Sequence, residues 1–333
     1  DVNALRTRCP ELALMGGMGY LLISARTDAA LRSPWEVVSS SFFILYFIAS
    51  SILIYVVSKN HGSTIGILML FFTLSFSVAL TVYQVGYGYD QFIHQATESA
   101  IVRQGEILPK HPYYLGQYAL IASLSKITTI PAATLDKYFV PIVAGIFLPL
   151  VLMVSLKQGL AALLFLALPY ASFIVTTPQA LANIFVIAAL FLVLQPSRSL
   201  PLIFALAALA IHPLAGIPVL LFLLLFWSIK HRYKTLSVFI GIITSIALPI
   251  TLYSAGIASL RPTMLPFAWS LLPPKQSFHA LLDLVYFWQY ALPFMLCILT
   301  LVRAVALLRS TASRTILVYP LFSAILIANA FFL

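Results

Sequence analysis

The chain has 333 residues, of which 62% are hydrophobic and only 8% charged, with a net charge of +10 and a mean hydropathy of +1.02. So few charges cannot cover that much apolar surface in water, and the composition predicts an all-α polytopic integral membrane protein. The sequence contains no soluble module with a basic stripe and stacking aromatics, so nucleic acid is not an expected partner. The basic residues of the loops are expected to contact membrane lipids instead.

A helix needs about 20 apolar residues to cross a bilayer, with roughly 17 to 25 usual. Runs of this kind, some of them short, cover residues 11–25, 36–57, 64–86, 139–156, 159–176, 179–195, 200–212, 214–229, 234–255, 283–302 and 314–333. The sequence therefore predicts about eleven transmembrane helices in a single transmembrane domain, 1–333, with no soluble C-terminal domain in this chain. Arg6 and Arg8 before the first run also fit a signal peptide, and a start at Asp1 is expected of a processed chain or a fragment.

Lysine and arginine clusters predict the cytoplasmic side of a membrane protein. Such clusters lie at 59–61, 230–234 and 303–314. Counting spans from them places Asp90 outside, in a first large external loop over 87–138, and predicts a second external loop over 256–282. The counts agree if the Ser- and Thr-rich segment 113–130 lies on the outer face as an amphipathic element. The alternative is that 113–130 crosses and a short later segment does not.

The first external loop contains the main concentration of polar residues. A predicted amphipathic helix, 89–103, places Asp90, His94 and Glu98 at i, i+4 and i+8 on one face. A partly shielded carboxylate at a membrane surface can take a proton from a hydroxyl or amine, so Asp90 is the candidate catalytic base. The alternative for Asp90 is a solvated acid beside the positive end of the helix dipole. His94 and Glu98 are candidate substrate contacts.

Asp90, His94 and Glu98 also have the ligand types of a divalent metal site. Three ligands on one helix rarely converge without a fourth from elsewhere, so we expect no metal and no other cofactor, with this trio as the weaker alternative.

Further candidate binding residues follow along the outer side. Lys110, His111 and Tyr113 flank a helix break at Pro112, where Lys110 either neutralises a lipid phosphate or anchors the interface. His212 lies at a predicted outer turn, where it either contacts a phosphate or sugar or caps a helix.

The second predicted external loop carries basic side chains. Arg261 has a planar guanidinium that suits phosphate oxygens, and Lys275 adds positive charge that attracts anionic lipid. The alternative is that both only balance the surface charge.

In this order, the features resemble the GT-C superfold of membrane glycosyltransferases, closest to the protein-mannosyltransferase and aminoarabinose-transferase branch. That branch has a span ending in an outer acidic residue, a surface helix, and then a basic, proline- and tyrosine-containing motif. The residues that carry the likeness, within roughly 64–230, are Tyr89-Asp90-Gln91-Phe92, Gly105-Glu106-Ile107, Lys110-His111-Pro112-Tyr113-Tyr114 and the apolar 206–218 around His212.

The resemblance implies inverting transfer of a sugar from a polyprenyl-phosphate donor to an acceptor at the extracytoplasmic face, without a nucleotide. It assigns Asp90 as the general base, and Lys110 and His212 as contacts to the lipid phosphate, with help from Arg261. Gln91 stands where many members of the family have a second acid, which leaves metal use open.

Two other classes remain open from the residues alone. A transporter or flippase of a lipid-linked or anionic solute predicts broken helices, charges at mid-bilayer depth and inverted repeats. A non-catalytic membrane assembly subunit predicts no outward cavity beside Asp90. The sequence has no G-x-x-x-x-G-K-[ST] or G-x-S-x-G motif, which disfavours a nucleotide-driven pump and a serine hydrolase.

Overall fold

The computed structural model describes residues 2–31, 33–59, 64–88, 90–110, 112–156, 159, 163, 173–196, 199–243, 302 and 318. The chain divides into two compact units between Ile217 and Pro218. The single transmembrane domain over 1–333 stays a prediction. The second external loop, 256–282, lies outside the described residues.

The described part of the chain is built from helices. These are α1 (Val2–Ser24), α2 (Ser40–Ser58), α3 (Ile65–Phe76), α4 (Val78–Val82), α5 (Gln91–Gln104), α6 (Leu115–Thr128), α7 (Ala132–Leu156), α8 (Pro178–Leu192), α9 (Ser199–Ile211), α10 (Pro213–Lys230) and α11 (Lys234–Ile242). Short 3₁₀ turns at Pro34–Glu36 and Pro112–Tyr114 precede α2 and α6. Within these residues the predicted all-α class is confirmed.

Three of the described helices, α2, α7 and α10, are long and apolar enough to cross a membrane. Helices α3, α8 and α9 are apolar but shorter. The predicted runs 36–57, 179–195, 200–212 and 214–229 coincide closely with α2, α8, α9 and α10. The helices thus support a membrane protein, whereas the number of eleven spans and their orientation stay predictions.

Two predicted boundaries differ from the structure. The run 64–86 is divided at Ser77 into the separate helices α3 and α4. Helix α7 begins at Ala132, inside the stretch assigned to the loop 87–138, and its first turn is anchored by hydrogen bonds to the Pro131 carbonyl. Asp136 and Lys137, in the first turns of this helix, are both buried with polar partners, so the helix continues through them.

The polar stretch forms two short helices that pack in the first unit. Helix α5 confirms the amphipathic helix predicted over 89–103, and it ends at Gly105, whose φ of 77° is easily adopted without a side chain. Helix α6 has 14 residues. It is therefore about 21 Å long, shorter than a hydrocarbon core of about 30 Å. Whether 113–130 crosses the membrane stays a prediction. Helices α5, α6 and α7 contact one another.

Apolar helices hold this arrangement together. Helix α3 packs closely on α7, where the Cα of Gly145 lies against the backbone of Thr73. Val151 of α7 forms a buried cluster with Ala188 and Leu192 of α8, and phenylalanines from α7, α8 and α9 pack around it. Helix α7 therefore links the apolar core to the polar helices α5 and α6.

Candidate functional site

Asp90 lies at the start of α5 and is flanked by two basic side chains. Lys110 Nζ donates a hydrogen bond of 3.3 Å to Asp90 Oδ1, and His94 Nε2 lies 3.3 Å from Asp90 Oδ2. His94 is one turn along the same helix, whereas Lys110 comes from the segment after Gly105. The Lys110 backbone N–H donates to Thr97 Oγ1, which fixes this segment against α5. The Asp90 side chain remains 59% exposed.

The charge state of Asp90 follows from these neighbours. Partial burial by itself raises the pKa of the carboxyl, but the nearby His94 and the Lys110 ammonium outweigh it, so the pKa lies below the ordinary value of 3.8. Asp90 is therefore ionised at neutral pH and presents an exposed carboxylate.

His94 connects Asp90 to the interior. Its side chain is buried, and Nδ1 lies 2.8 Å from the hydroxyl of the buried Tyr118. Because ionised Asp90 can only accept, the proton of the neutral ring belongs on Nε2, and Nδ1 accepts from the Tyr118 hydroxyl. Burial lowers the pKa of His94, and the neighbouring Lys110 and His212 lower it further against the opposing effect of Asp90.

The neutral state of His94 predicts a loss of stability in acid. Because burial lowers its pKa below 6.5, the unfolded chain binds more protons than the folded chain between the lowered value and 6.5. The free energy of unfolding should therefore decrease as the pH falls below 6.5. The midpoint of thermal unfolding should fall between about pH 7.5 and about pH 5, and it should fall less in His94→Gln than in the parent protein.

The matched control is His231→Gln, since His231 is exposed. The unfolding midpoint of His231→Gln should change with pH as that of the parent protein does. If the midpoints of the parent protein and both variants fell equally with pH, His94 would be excluded as the source of the acid sensitivity.

Tyr114 brings His212 to the same site. The Tyr114 ring meets His94 edge-on, with centroids 5.3 Å apart, and stacks on His212 at 5.3 Å with an interplanar angle of 26°. His212 lies between α9 and α10, and burial lowers its pKa. The imidazole is therefore predominantly neutral at neutral pH and offers a hydrogen-bond donor or acceptor rather than a fixed charge.

Replacing Tyr114 by Leu should remove the ring contacts that join His94 to His212 and so lower the stability of the protein. Aromatic pairs contribute about 0.5–1.5 kcal/mol each beyond the buried area, and Tyr114 pairs with both histidines. Thermal unfolding should show a lowered midpoint in Tyr114→Leu. Tyr113→Leu, at a side chain that is 68% exposed, should change the midpoint much less, and an equal change in both variants would contradict the role of the ring stack.

A second polar cluster lies deeper between α5, α6 and α7. Gln117 Nε2 donates to Glu98 Oε1 at 2.9 Å and to Asp136 Oδ1 at 3.2 Å, and Gln91 Nε2 lies 3.5 Å from Asp136 Oδ2. All four residues have 0% exposure. Burial and the adjacent Asp136 carboxyl raise the pKa of Glu98, which favours its protonated form.

The sequence-predicted residues thus separate into groups. The structure brings together Asp90, His94, Lys110 and His212, the last through Tyr114. Glu98 shares a face of α5 with His94, as predicted, but it contacts Gln117 on α6 instead of Asp90. Tyr113 is exposed and lies beside this group along the chain. His111, Arg261 and Lys275 lie outside the described residues.

The metal alternative gains no support from the described residues. They contain no group of three or more His, Cys, Asp and Glu side chains that could hold a metal ion, because Glu98 turns toward Asp136.

Sequence reasoning missed the residues that α6 and α7 contribute. Tyr118, Gln117 and Asp136 were not singled out, and neither was Lys137, whose Nζ donates to the carbonyls of Tyr83 and Gln84. The available signal was an Asp-Lys pair at the start of a long apolar segment, since ionisable groups there are expensive and usually have a specific partner.

Comparison with known proteins does not identify the chain, because no family model, curated protein or solved structure matches it. The function is therefore inferred from the chemistry of the site.

Proposed function

We propose that this protein is an inverting membrane glycosyltransferase of GT-C type that moves a sugar from a polyprenyl-phosphate donor to an acceptor at the outer membrane face. The observation that carries the proposal is the exposed carboxylate of Asp90, which is held between Lys110 and His94 at the start of α5. This pairing places a base beside a cation. Transfer of a sugar from a phosphate donor to a hydroxyl acceptor requires both, the base for the acceptor proton and the cation for the leaving phosphate.

In the proposed reaction, the acceptor oxygen attacks the anomeric carbon of the donor sugar. As the new carbon–oxygen bond forms, the bond between the anomeric carbon and the phosphate oxygen breaks, and polyprenyl phosphate leaves with the electron pair. Asp90 takes the acceptor proton. Lys110 neutralises the charge that develops on the leaving phosphate, and His212 donates a hydrogen bond to it.

The contact between Lys110 and Asp90 has a consequence for the base. Because Lys110 lowers the pKa of Asp90, a donor phosphate that draws Lys110 away would raise it and make Asp90 a better proton acceptor. Donor binding would thus prepare the base for the acceptor.

The direct test supplies purified protein with a panel of short-chain prenyl-phosphate sugars and measures the release of prenyl phosphate. Release with at least one sugar, together with stabilisation of the protein by prenyl phosphate alone, is the expected result. No release and no stabilisation across the panel would overturn the proposal and favour a non-catalytic assembly subunit.

Lys110→Ala should weaken binding of the donor phosphate. A hydrogen bond to a charged group contributes about 1.5–3 kcal/mol, which corresponds to an increase in the donor KM of roughly ten- to a hundredfold. Lys126→Ala is the matched control because Lys126 is an exposed lysine in the last turn of α6. An unchanged KM in Lys110→Ala would remove Lys110 from the phosphate site.

The buried acids favour a second candidate, a transporter or flippase of a lipid-linked or anionic solute. Glu98 and Asp136 are ionisable groups enclosed within helices, as in proton relays. A transporter predicts that Glu98→Gln stops solute uptake into proteoliposomes, whereas the glycosyltransferase predicts no such uptake by the parent protein.

A further inference from the structure

Tyr118 is a buried residue of α6 whose hydroxyl is connected to Asp90 through one imidazole ring. Its side chain has 0% exposure, and the hydroxyl lies 2.8 Å from Nδ1 of His94. On the other side of the ring, His94 Nε2 lies 3.3 Å from Asp90 Oδ2. A chain of two hydrogen bonds therefore runs from the interior of the first unit to the exposed carboxylate.

The direction of both hydrogen bonds follows from the chemistry of the three groups. Burial raises the pKa of the Tyr118 hydroxyl, so the hydroxyl keeps its proton and can donate it. Ionised Asp90 has no proton and only accepts. The neutral ring of His94 has one donor and one acceptor nitrogen, so only the tautomer with Nε2–H toward Asp90 and bare Nδ1 toward Tyr118 suits both neighbours.

Packing holds the imidazole in this orientation. His94 is 1% exposed, and the ring centroids of Tyr114 and Tyr118 lie 5.3 Å and 5.8 Å from that of His94. Within the described residues, the Tyr118 hydroxyl is the group that hydrogen-bonds to Nδ1. Its removal would leave a buried acceptor unpaired, and the ring would no longer be fixed on its inner side.

The two oxygens of Asp90 have different partners. Oδ2 faces His94, whereas Oδ1 accepts from Lys110. In the proposed reaction Lys110 turns to the donor phosphate, so Oδ1 becomes free to take the acceptor proton while Oδ2 stays bonded to His94. A carboxylate held by one oxygen presents the other in a fixed direction, and a general base has to lie within hydrogen-bond reach of the proton it removes.

We propose that Tyr118 is a positioning residue for the transfer reaction, which acts through His94 and holds Asp90 with Oδ1 directed toward the acceptor hydroxyl. Neither Tyr118 nor His94 exchanges a proton with the substrate in this scheme. This role rests on the proposed function, because the acceptor enters only there, whereas the hydrogen-bond chain can be measured without substrate.

Tyr118→Phe removes the hydroxyl and keeps the ring. The kcat for prenyl-phosphate release should fall about three- to tenfold, the equivalent of about one neutral hydrogen bond, while the donor KM stays within about twofold because Lys110 and His212 are unchanged. Tyr83→Phe is the matched control, since Tyr83 is also buried and its hydroxyl donates to the Leu31 carbonyl instead of a site residue. This control should keep the parent kcat even if its unfolding midpoint falls. No loss of kcat in Tyr118→Phe, or an equal loss in both variants, would overturn the proposal.

A second background tests whether Tyr118 acts through His94. The side chain of His94→Leu bonds to neither neighbour, so the addition of Tyr118→Phe to this variant should lower kcat no further. A further loss of about three- to tenfold in the double variant would mean that Tyr118 acts independently of His94, and it would overturn the positioning role.

Nitrogen NMR of the parent protein with isotope-labelled histidine tests the chain without substrate. The His94 signals, identified by their absence from His94→Leu, should show a proton on Nε2 and a hydrogen-bonded, unprotonated Nδ1. In Tyr118→Phe the Nδ1 signal should move toward that of an unbonded ring nitrogen. A proton on Nδ1 in the parent protein would overturn the role of Tyr118, and this measurement decides the outcome if Tyr118→Phe does not fold.

The two measurements separate this role from the proposed function. Prenyl-phosphate release by a parent protein with the proton on Nδ1 would overturn the role of Tyr118 alone. The expected tautomer without release from any donor would overturn the proposed function, and the positioning role with it.

Discussion

Asp90→Asn should abolish sugar transfer while the protein stays folded. An amide has nearly the same shape as the carboxylate but does not take up the acceptor proton, and loss of a positioned general base lowers the rate by about 10²- to 10⁴-fold. The fold should tolerate the change because Asp90 is 59% exposed and exposed ion pairs contribute little to stability. The measurement is kcat for prenyl-phosphate release, beside the elution profile and unfolding midpoint of both proteins.

Asp28→Asn is the matched control, because Asp28 is also an exposed aspartate in the first unit. It should retain the parent kcat. The stabilisation by prenyl phosphate should persist in Asp90→Asn, since Lys110 and His212 remain. Unchanged turnover in Asp90→Asn would remove Asp90 from the mechanism, even if the protein proves to be a glycosyltransferase.

Gly145→Ala should destabilise the first unit strongly. A methyl group at Gly145 would overlap the backbone of Thr73, which cannot rotate away as a flexible side chain could. Overpacking of this kind costs about 1–3 kcal/mol, and occasionally more. Since α3 packs on α7 at this point, the two helices would have to separate, and the unfolding midpoint should fall clearly.

Gly66→Ala provides the matched control. Gly66 lies in α3, one of the same two helices, and an added Cβ there meets nothing within 4 Å. Because alanine favours a helix over glycine by up to about 1 kcal/mol, this variant should be as stable as the parent protein or more so. Equal midpoints for the two variants would show that α3 and α7 are not in close contact at Gly145 and Thr73.

The two polar clusters share their supporting helices. His94 and Glu98 lie one turn apart on α5, and they contact the neighbouring residues Tyr118 and Gln117 of α6. One cluster ends in the exposed Asp90 and the other in the buried Asp136. A change that shifts α6 should therefore affect both, whereas Asp90→Asn should affect the exposed cluster alone.

The sequence by itself determined the features that depend on local pattern. Apolar length predicted α2, α8, α9 and α10, and the i, i+4, i+8 spacing predicted the common face of α5. These predictions succeed because hydropathy and helical periodicity act over one element, and burial of an apolar segment does not depend on which partner covers it.

Only the tertiary structure decided the partners of the polar groups. It brought Lys110 back to Asp90 and His212 to Tyr114, and it directed Asp136 and the adjacent Lys137 to different partners. Each of these contacts is specified by geometry to within a few tenths of an ångström between segments that are distant in sequence. Composition shows that a buried charge needs a partner, but only packed helices determine which one it has.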